Sequence, residues 1–225
     1  TCAGEFEAIT PYFYSTYEQE NEAIATGRET AIVLGSGPIR IGQGIEFDYC
    51  SVHAAWALQK SGVESVMINS NPETVSTDFD TSDRLYFEPL DEESVRDIIE
   101  NEGTGSSNPS TMVQFGGQTA INLSQLLGAA GLPVMGSTPD VIDLASDRGR
   151  FEDVTARHGL PQPPGGMASD VERALQVAGN VEYPVLVRPS YVLGGRAMEI
   201  VQTPAELIRY FEMAMRDFHG QTILI

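Results

Sequence analysis

Short apolar runs alternate with segments of helical periodicity over residues 30–136. The first run, Thr30–Leu34, ends at a glycine-rich turn, and apolar side chains in the following segment, 46–62, recur at the spacing of one helix face. The same order repeats, with strands predicted at 65–68, 84–87, 111–115 and 133–135 and helices predicted from Asp91 and over 117–131. Strands that alternate with helices in this way predict a Rossmann-like α/β domain with a parallel sheet.

A second pattern begins near residue 138, where the predicted helices have marked start signals. Thr138 and Ser169 each stand at the N-cap position of a predicted helix. The elements predicted further on are two strands and a final helix, at 184–187, 197–201 and from Pro204. We therefore expect a linker or tail of a preceding helical domain at 1–27, a first domain at 28–137, and an incomplete second domain at 138–225 of a longer polypeptide.

The composition excludes several classes of protein. The 225 residues are 41% hydrophobic and 20% charged, and no apolar run approaches the ~20 residues of a membrane helix, which argues against disordered and membrane-spanning proteins. The net charge of −19, with Lys60 as the only lysine, argues against nucleic acid or a membrane surface as a partner. Cys2 and Cys50 match no disulfide or metal-binding pattern, which favours a reducing cytoplasm and predicts no metal site in this chain.

The glycine-rich loop after the first strand occupies the position of a dinucleotide-binding fingerprint, but its spacing differs. In Gly35-Ser-Gly-Pro-Ile-Arg-Ile-Gly-Gln-Gly44, Arg40 stands where the third glycine of G-x-G-x-x-G should be. Asn69 stands where an acidic residue would bind a ribose. Two interpretations remain open: a cofactor-binding loop, or a turn that needs glycine for its backbone conformation.

A second loop has the features of a phosphate-binding flap. Arg188 lies at the end of a predicted strand, and the loop that follows contains Gly194 and Gly195, whose N–H groups can approach phosphate oxygens beside a guanidinium. The alternative is a simple hairpin in which Arg188 forms an ion pair in the core. Arg148 and Arg150 lie early in a predicted helix, and helical spacing allows one of them to face a cleft.

Four long motifs, in order, resemble those of the large chain of carbamoyl phosphate synthetase. They are the glycine loop with its continuation to Tyr49, the segments at 71–78 and 114–119, and Val187-Arg-Pro-Ser-Tyr-Val-Leu-Gly-Gly-Arg-Ala-Met-Glu199. The form Arg40-Ile-Gly-Gln-Gly-Ile-Glu46 and the stretch before it resemble the second synthetase half of that family. The resemblance covers essentially the whole chain.

The resemblance implies a pre-ATP-grasp domain, which need not bind a dinucleotide, followed by the truncated start of an ATP-grasp domain. It implies an ATP-dependent ligase that phosphorylates carbamate to carbamoyl phosphate, in arginine and pyrimidine biosynthesis. Arg150 and Arg188 would contact nucleotide phosphates, and Gly194 and Gly195 would close on them. The residues that hold Mg²⁺ or Mn²⁺ and the adenine would lie beyond Ile225, so we expect this chain alone to be inactive. The implied partners are ATP, carbamate, the remainder of the large chain and a glutaminase small subunit.

Two other functions stay open on sequence grounds. An NAD-dependent Rossmann oxidoreductase would require an intact fingerprint and nicotinamide binding. A non-catalytic docking module derived from an ATP-grasp protein would be indicated if the full-length protein lacked the downstream metal-binding carboxylates.

The acidic excess predicts a dependence of stability on salt if it reflects adaptation to high salt rather than a merely solvated surface. The melting temperature should then continue to rise up to molar KCl. Screening of self-repulsion alone would not produce this continued rise, because at ~1 M the Debye length is only about 3 Å and the repulsion between surface charges is already screened. Thermal unfolding across a KCl series measures this rise. A melting temperature that stays flat would contradict salt adaptation.

Overall fold

The computed structural model describes residues 2–3, 10–40, 42–105, 107–189, 197–217 and 222–225. The chain divides into two units, Thr1–Asp143 and Leu144–Ile225, and the division falls inside helix α4 (Pro139–Ser146). Each unit has a hydrophobic core of its own. Among the described residues, no helix is long and apolar enough to cross a membrane.

A mixed, mostly parallel sheet is the centre of the first unit. Its strands, in the spatial order β1-β2-β5-β4-β3-β6, are parallel to their neighbours except for the antiparallel pair β1 and β2. The predicted strand at 133–135 is present as a single parallel bridge between Val134 and Thr111. The strand bounds are β1 (Cys2–Ala3), β2 (Tyr12–Tyr14), β3 (Thr30–Leu34), β4 (Glu64–Ile68), β5 (Arg84–Tyr86) and β6 (Ser110–Met112).

Helices cover both faces of this sheet, as the alternating pattern predicts. Strand β3 sends Ala31 and Val33 into the core beneath α1 (Glu46–Lys60), and it sends Ile32 and Leu34 into the core beneath α2 (Glu92–Glu102) and α3 (Gly117–Ala129). A strand buried on both faces reads as a continuous apolar run, which is why the sequence identifies β3 so clearly. The Rossmann-like α/β prediction is confirmed.

The N-terminal segment differs from its prediction as a linker, because Tyr12–Tyr14 forms a strand parallel to β5. Phe13 is buried, with its ring centroid 5.2 Å from that of Tyr86, and the guanidinium carbon of Arg84 lies 4.8 Å from the Phe13 centroid. Three residues are too few to produce a recognisable alternation, so the sequence pattern does not reveal this strand.

A buried ion pair connects β5 to the end of α2. Arg84 donates from Nε and Nη2 to the same carboxylate oxygen of Glu102, at 3.0 and 2.8 Å, and the Tyr86 hydroxyl donates to that oxygen as well. Burial raises the pKa of Tyr86, and the neighbouring Glu102 carboxylate raises it further. The pair is nearly inaccessible to water, with the side chains of Arg84 and Glu102 exposed by 7% and 1%.

The predicted helix N-caps differ in outcome. Thr138 precedes α4, and its hydroxyl accepts from the Val141 N–H at 3.4 Å. Asp91 accepts a hydrogen bond of 2.8 Å from the Ser94 N–H, which confirms the predicted start of α2. In helix α6 (Val171–Val181) the cap is Asp170, which accepts from the Arg173 N–H at 2.7 Å, and not Ser169. Both residues are good caps, so the sequence alone does not separate them.

The second unit is built on a small antiparallel sheet with the order β7-β10-β8-β9. One face of the sheet packs against α6 and α7 (Pro204–Asp217), and together they form the second core. The remaining elements are α5 (Arg148–Arg157), β7 (Met167–Ala168), β8 (Val185–Pro189), β9 (Glu199–Val201) and β10 (Ile223–Leu224).

Replacing Glu102 by Gln should destabilise the first unit by about 3–5 kcal/mol, because it leaves the Arg84 charge buried without its counter-charge. Glu100→Gln is the matched control on the same helix: its ion pair with Arg96 is half exposed on both sides, and such pairs contribute about 0–1 kcal/mol. Urea unfolding of both variants measures the difference. Equal losses would show that the buried pair has no special role.

Candidate functional site

Strand β8 divides its side chains between the core and an open face of the sheet. Val185 and Val187 are buried against α6 and α7, and the alternation of a strand places Leu186 and Arg188 on the opposite face. Leu186 is opposite Ile200 of β9, and these two side chains are 49% and 64% exposed. An apolar strip therefore lies beside Arg188 on the face that the core leaves open.

A cavity of about 430 Å³ is present in the second unit. It is lined by Arg188, Leu186 and Met198 from the sheet region, by Arg148 and Glu152 from α5, and by the proline- and glycine-rich segment at 162–166. Small-molecule sites typically combine an apolar lining with a few charged groups in this way.

Two guanidinium groups share this cavity. Burial lowers the pKa of Arg188, and the positive charge of Arg148 lowers it further. Arginine nevertheless stays protonated at neutral pH. Arg148 is exposed and Arg188 is partly buried. Two like charges that line one cavity favour a bound anion, and a phosphate group or a carboxylate would offset their repulsion.

Arg148 shares the cavity with Arg188, and its positive charge acts on Arg188. At 3.6 residues per turn, Arg148 and Glu152 lie on one face of α5, while Arg150 is rotated about 200° from Arg148. Among the described residues of α5, Arg148 and Glu152 line the cavity. The N–H of Arg150 donates to the Asp147 cap at 2.8 Å. The sequence places both arginines early in the helix, and it does not show which side of α5 meets the cavity.

The segment at 162–166 approaches the end of the sheet closely. Gly166 and Ile225 exchange two backbone hydrogen bonds of 3.0 Å. A Cβ at Gly165 would lie 2.6 Å from the Ile225 carbonyl oxygen, so the chain can pass here only with glycine. This rim of the cavity is therefore set by backbone contacts.

Gly194 and Gly195, predicted to close on phosphates, lie in 190–196, outside the described residues. The first described residue after that segment is Ala197, whose carbonyl accepts a hydrogen bond of 2.6 Å from the Tyr210 hydroxyl of α7. Burial, with a further effect of the Glu199 charge, raises the pKa of Tyr210 to about 12, so this hydroxyl remains a donor throughout the physiological range.

Groups of three or more His, Cys, Asp or Glu side chains that could hold a metal ion are absent from the described part of the chain. The charged groups that the cavity does present, two arginines and one glutamate, suit an anion better than a cation.

In the first unit, Asn69 occupies the place that a dinucleotide would need. Its carboxamide oxygen accepts from the N–H groups of Gly37 and Ser70, each at 2.9 Å, and its nitrogen donates to the Ser76 hydroxyl at 2.8 Å. A Cβ at Gly35 would lie 2.4 Å from the Asn69 side chain, so the two fit only because residue 35 is glycine. The loop N–H that could bind a pyrophosphate is already engaged, which supports the turn interpretation over the cofactor loop.

The polar stretch at 71–78 is also held by the protein itself. The buried Asp48 carboxylate of α1 accepts from the N–H groups of Val75 and Ser76, at 3.0 and 3.3 Å. Thr77 donates from its hydroxyl to the carbonyls of Asn71 and Thr74. This stretch is an ordered connection between β4 and β5.

Family models match both units. The model of the carbamoyl phosphate synthase preATP-grasp domain matches residues 27–144. The model of the ATP-binding domain of the carbamoyl-phosphate synthase L chain matches residues 147–225. The chain belongs to the carbamoyl phosphate synthase large-chain family.

A member of this family from Thermomicrobium roseum, a carbamoyl phosphate synthase large chain, is 57% identical over 227 residues. The match covers 100% of this chain and 21% of that protein, so the chain spans about a fifth of its relative's length.

Solved structures of two other enzymes have a similar fold. The biotin carboxylase domain of 2-oxoglutarate carboxylase from Hydrogenobacter thermophilus, solved with MgADP, ADP and bicarbonate, is 25% identical with a TM-score of 0.63 over 88% of this chain and 44% of that one. N5-carboxyaminoimidazole ribonucleotide synthetase from Thermus thermophilus is 19% identical with a TM-score of 0.58 over 87% of this chain and 46% of that one.

Replacing Asn69 by Ala should destabilise the first unit by about 3 kcal/mol, because the buried N–H of Gly37 and the partly buried N–H of Ser70 lose their acceptor. Asn122→Ala is the control: Asn122 is exposed and accepts a hydrogen bond from Gln118, so its loss should cost at most about 0.5 kcal/mol. Chemical unfolding measures both. A loss below about 1 kcal/mol for Asn69→Ala would contradict the proposed role.

Proposed function

We propose that this chain forms part of an ATP-dependent carbamoyl phosphate synthase large chain, in the half that phosphorylates carbamate. The observation that carries the proposal is the pair Arg148 and Arg188, which line one cavity in the segment that matches the family's ATP-binding domain. The motif resemblance around Arg40 to Glu46 supports the choice of the second half.

In this reaction an oxygen of carbamate attacks the γ-phosphorus of ATP, the bond from that phosphorus to the bridging oxygen breaks, and ADP leaves. Protein catalysis of phosphoryl transfer is mostly positioning and neutralisation of the crowded negative charge. Arg148 and Arg188 would supply positive charge to the phosphates. Leu186 and Met198 would limit the access of water on the same side, which strengthens that electrostatic interaction.

The similar 2-oxoglutarate carboxylase domain, solved with MgADP and bicarbonate, supports a site for a nucleotide and a small carboxylate substrate. The arginine-rich lining fits phosphates. It offers no carboxylate cluster for cations among the described residues. From the family resemblance we assign Mg²⁺ or Mn²⁺ to residues outside this chain, where the ions would neutralise phosphate charge.

The partners follow from the proposed reaction. They are ATP and carbamate as substrates, the remainder of the large chain, and a glutaminase subunit that supplies ammonia. The proposed location is the cytoplasm, and the proposed product would serve arginine and pyrimidine synthesis. The chain spans 21% of its Thermomicrobium relative, so the complete activity is proposed for the large chain and not for these 225 residues alone.

The alternative functions are less well supported. A dinucleotide-dependent oxidoreductase would need the Gly37 N–H, which Asn69 already binds. A non-catalytic docking module would not need two arginines in one cavity, where the charge of Arg148 opposes the charged state of Arg188.

Arg188→Ala in the complete large chain should lower carbamoyl phosphate synthesis about 10²–10³-fold, because losing one such contact costs ~2–4 kcal/mol of transition-state stabilisation. Bicarbonate-dependent ATP hydrolysis by the other synthetase half should remain nearly unchanged. The two partial reactions are measured separately with the same preparation. Equal loss of both would contradict a local role in carbamate phosphorylation.

Arg148→Ala and Arg150→Ala form a matched pair for the assignment on α5. Arg148→Ala should resemble Arg188→Ala, whereas Arg150→Ala should change the rate by no more than about twofold, since its side chain lies on another face of the helix. The reverse order of effects would show that Arg150 contacts the phosphates, as the motif resemblance implies. An undiminished rate in all three variants would favour the docking module.

A further inference from the structure

Acidic residues are absent from two stretches of the first unit. Residues 103–139 contain no charged side chain at all, and residues 49–63 contain no Asp or Glu, although 32 of the 225 residues are acidic. These stretches include surface positions: Gln118, Asn122 and Leu126 of α3 are exposed. Surface helices normally carry charged residues on the side that faces water.

An apolar groove lies where the two stretches meet. It has a volume of about 500 Å³ and is lined by Tyr49, Cys50, His53 and Ala57 of α1 together with Met112 and Phe115. Among the described helices of the first unit, α1 is the only one that contributes to the core on this side of the sheet. One helix does not cover the whole face, so Met112 and Phe115 remain partly accessible beside it.

Aromatic side chains continue this apolar surface along α1. The ring centroid of His53 is 4.2 Å from that of Tyr49 and 5.2 Å from that of Trp56. Tyr49 is 62% exposed and Trp56 is 39% exposed. Exposed aromatic residues beside an apolar groove are characteristic of protein interfaces.

We propose that this uncharged face, defined by Tyr49, His53, Trp56, Met112 and Phe115, is the surface on which another domain of the same large chain docks. The inference rests on the proposed function only in assuming that the chain works within a large chain. It adds the surface through which these 225 residues would contact the remainder of the large chain.

Charge and length favour this occupant over a second copy. About four-fifths of the relative's length lies outside the matched region, so the same polypeptide has ample further surface. Two copies of this chain would bring net charges of −19 together, and long-range repulsion would slow their association. A domain on the same polypeptide is present at a high effective concentration, and the uncharged contact avoids like-charge pairs at the interface.

Hydroxyl-radical footprinting of the 225-residue chain and of the complete large chain tests the proposal. Mass spectrometry gives the oxidation rates of Tyr49 and Trp56, and Tyr17, which is fully exposed and outside the face, provides the internal reference. We expect Tyr49 and Trp56 to be oxidised about tenfold more slowly in the large chain, because a docked interface excludes water. Equal rates in the two proteins would overturn the proposal, and so would protection in the 225-residue chain that increases with concentration, which would indicate a second copy.

A variant separates docking from other causes of protection. Ala57 is exposed in the groove, so Ala57→Arg adds bulk and charge there without removing a buried group. This variant of the large chain should restore fast oxidation of Tyr49, and continued protection would count against docking in the groove. Arg188→Ala should leave the footprint as in the wild type. If only the docking proposal is wrong, the footprint will differ from expectation while the activity assay agrees with it. If only the proposed function is wrong, the activity assay will differ and the footprint will agree.

Discussion

The carboxamide of Asn69 holds together the loops at the carboxyl edge of the parallel sheet. Backbone N–H groups that are buried at such an edge need acceptors, and this one side chain serves both Gly37 and Ser70 while it donates to Ser76. The absence of a Cβ at Gly35 makes room for it. In many Rossmann-like domains a ligand occupies this edge. Here the side chain of Asn69 occupies it.

The chemistry of the second unit depends on the two-residue period of strand β8. Val185 and Val187 anchor the strand in the core, and the same period presents Leu186 and Arg188 to the cavity. Arg148 reaches the same cavity from α5, and its charge, together with burial, destabilises the charged state of Arg188. In the proposed function, an anion that enters would relieve this repulsion, and the pair would bind phosphate more favourably than either arginine alone.

The elements that the sequence predicts well are those with a long, regular pattern. Strand β3 and helix α1 were predicted almost to the residue, because burial on both faces of the sheet leaves a continuous apolar run and burial of one helix stripe leaves a helical period. The strand at Tyr12–Tyr14 was missed because three residues carry no period. The choice between Arg148 and Arg150 depends on which side of α5 meets the cavity, and a helical pattern gives relative angles but not that orientation. Likewise, nothing local in the sequence indicates that Asn69 reaches Gly37 across thirty-two positions.

Strand β2 also changes where this domain must be considered to start. The family match begins at residue 27, downstream of Tyr12–Tyr14. A protein cut at that boundary would lose Phe13 from its place beside Tyr86 and would leave β5 as the edge of the sheet, with the backbone groups that now bond to Pro11 and Phe13 unpaired. An open parallel edge of this kind readily pairs with another chain. A protein that starts at residue 27, where the family match begins, is therefore more prone to aggregation than one that includes strand β2.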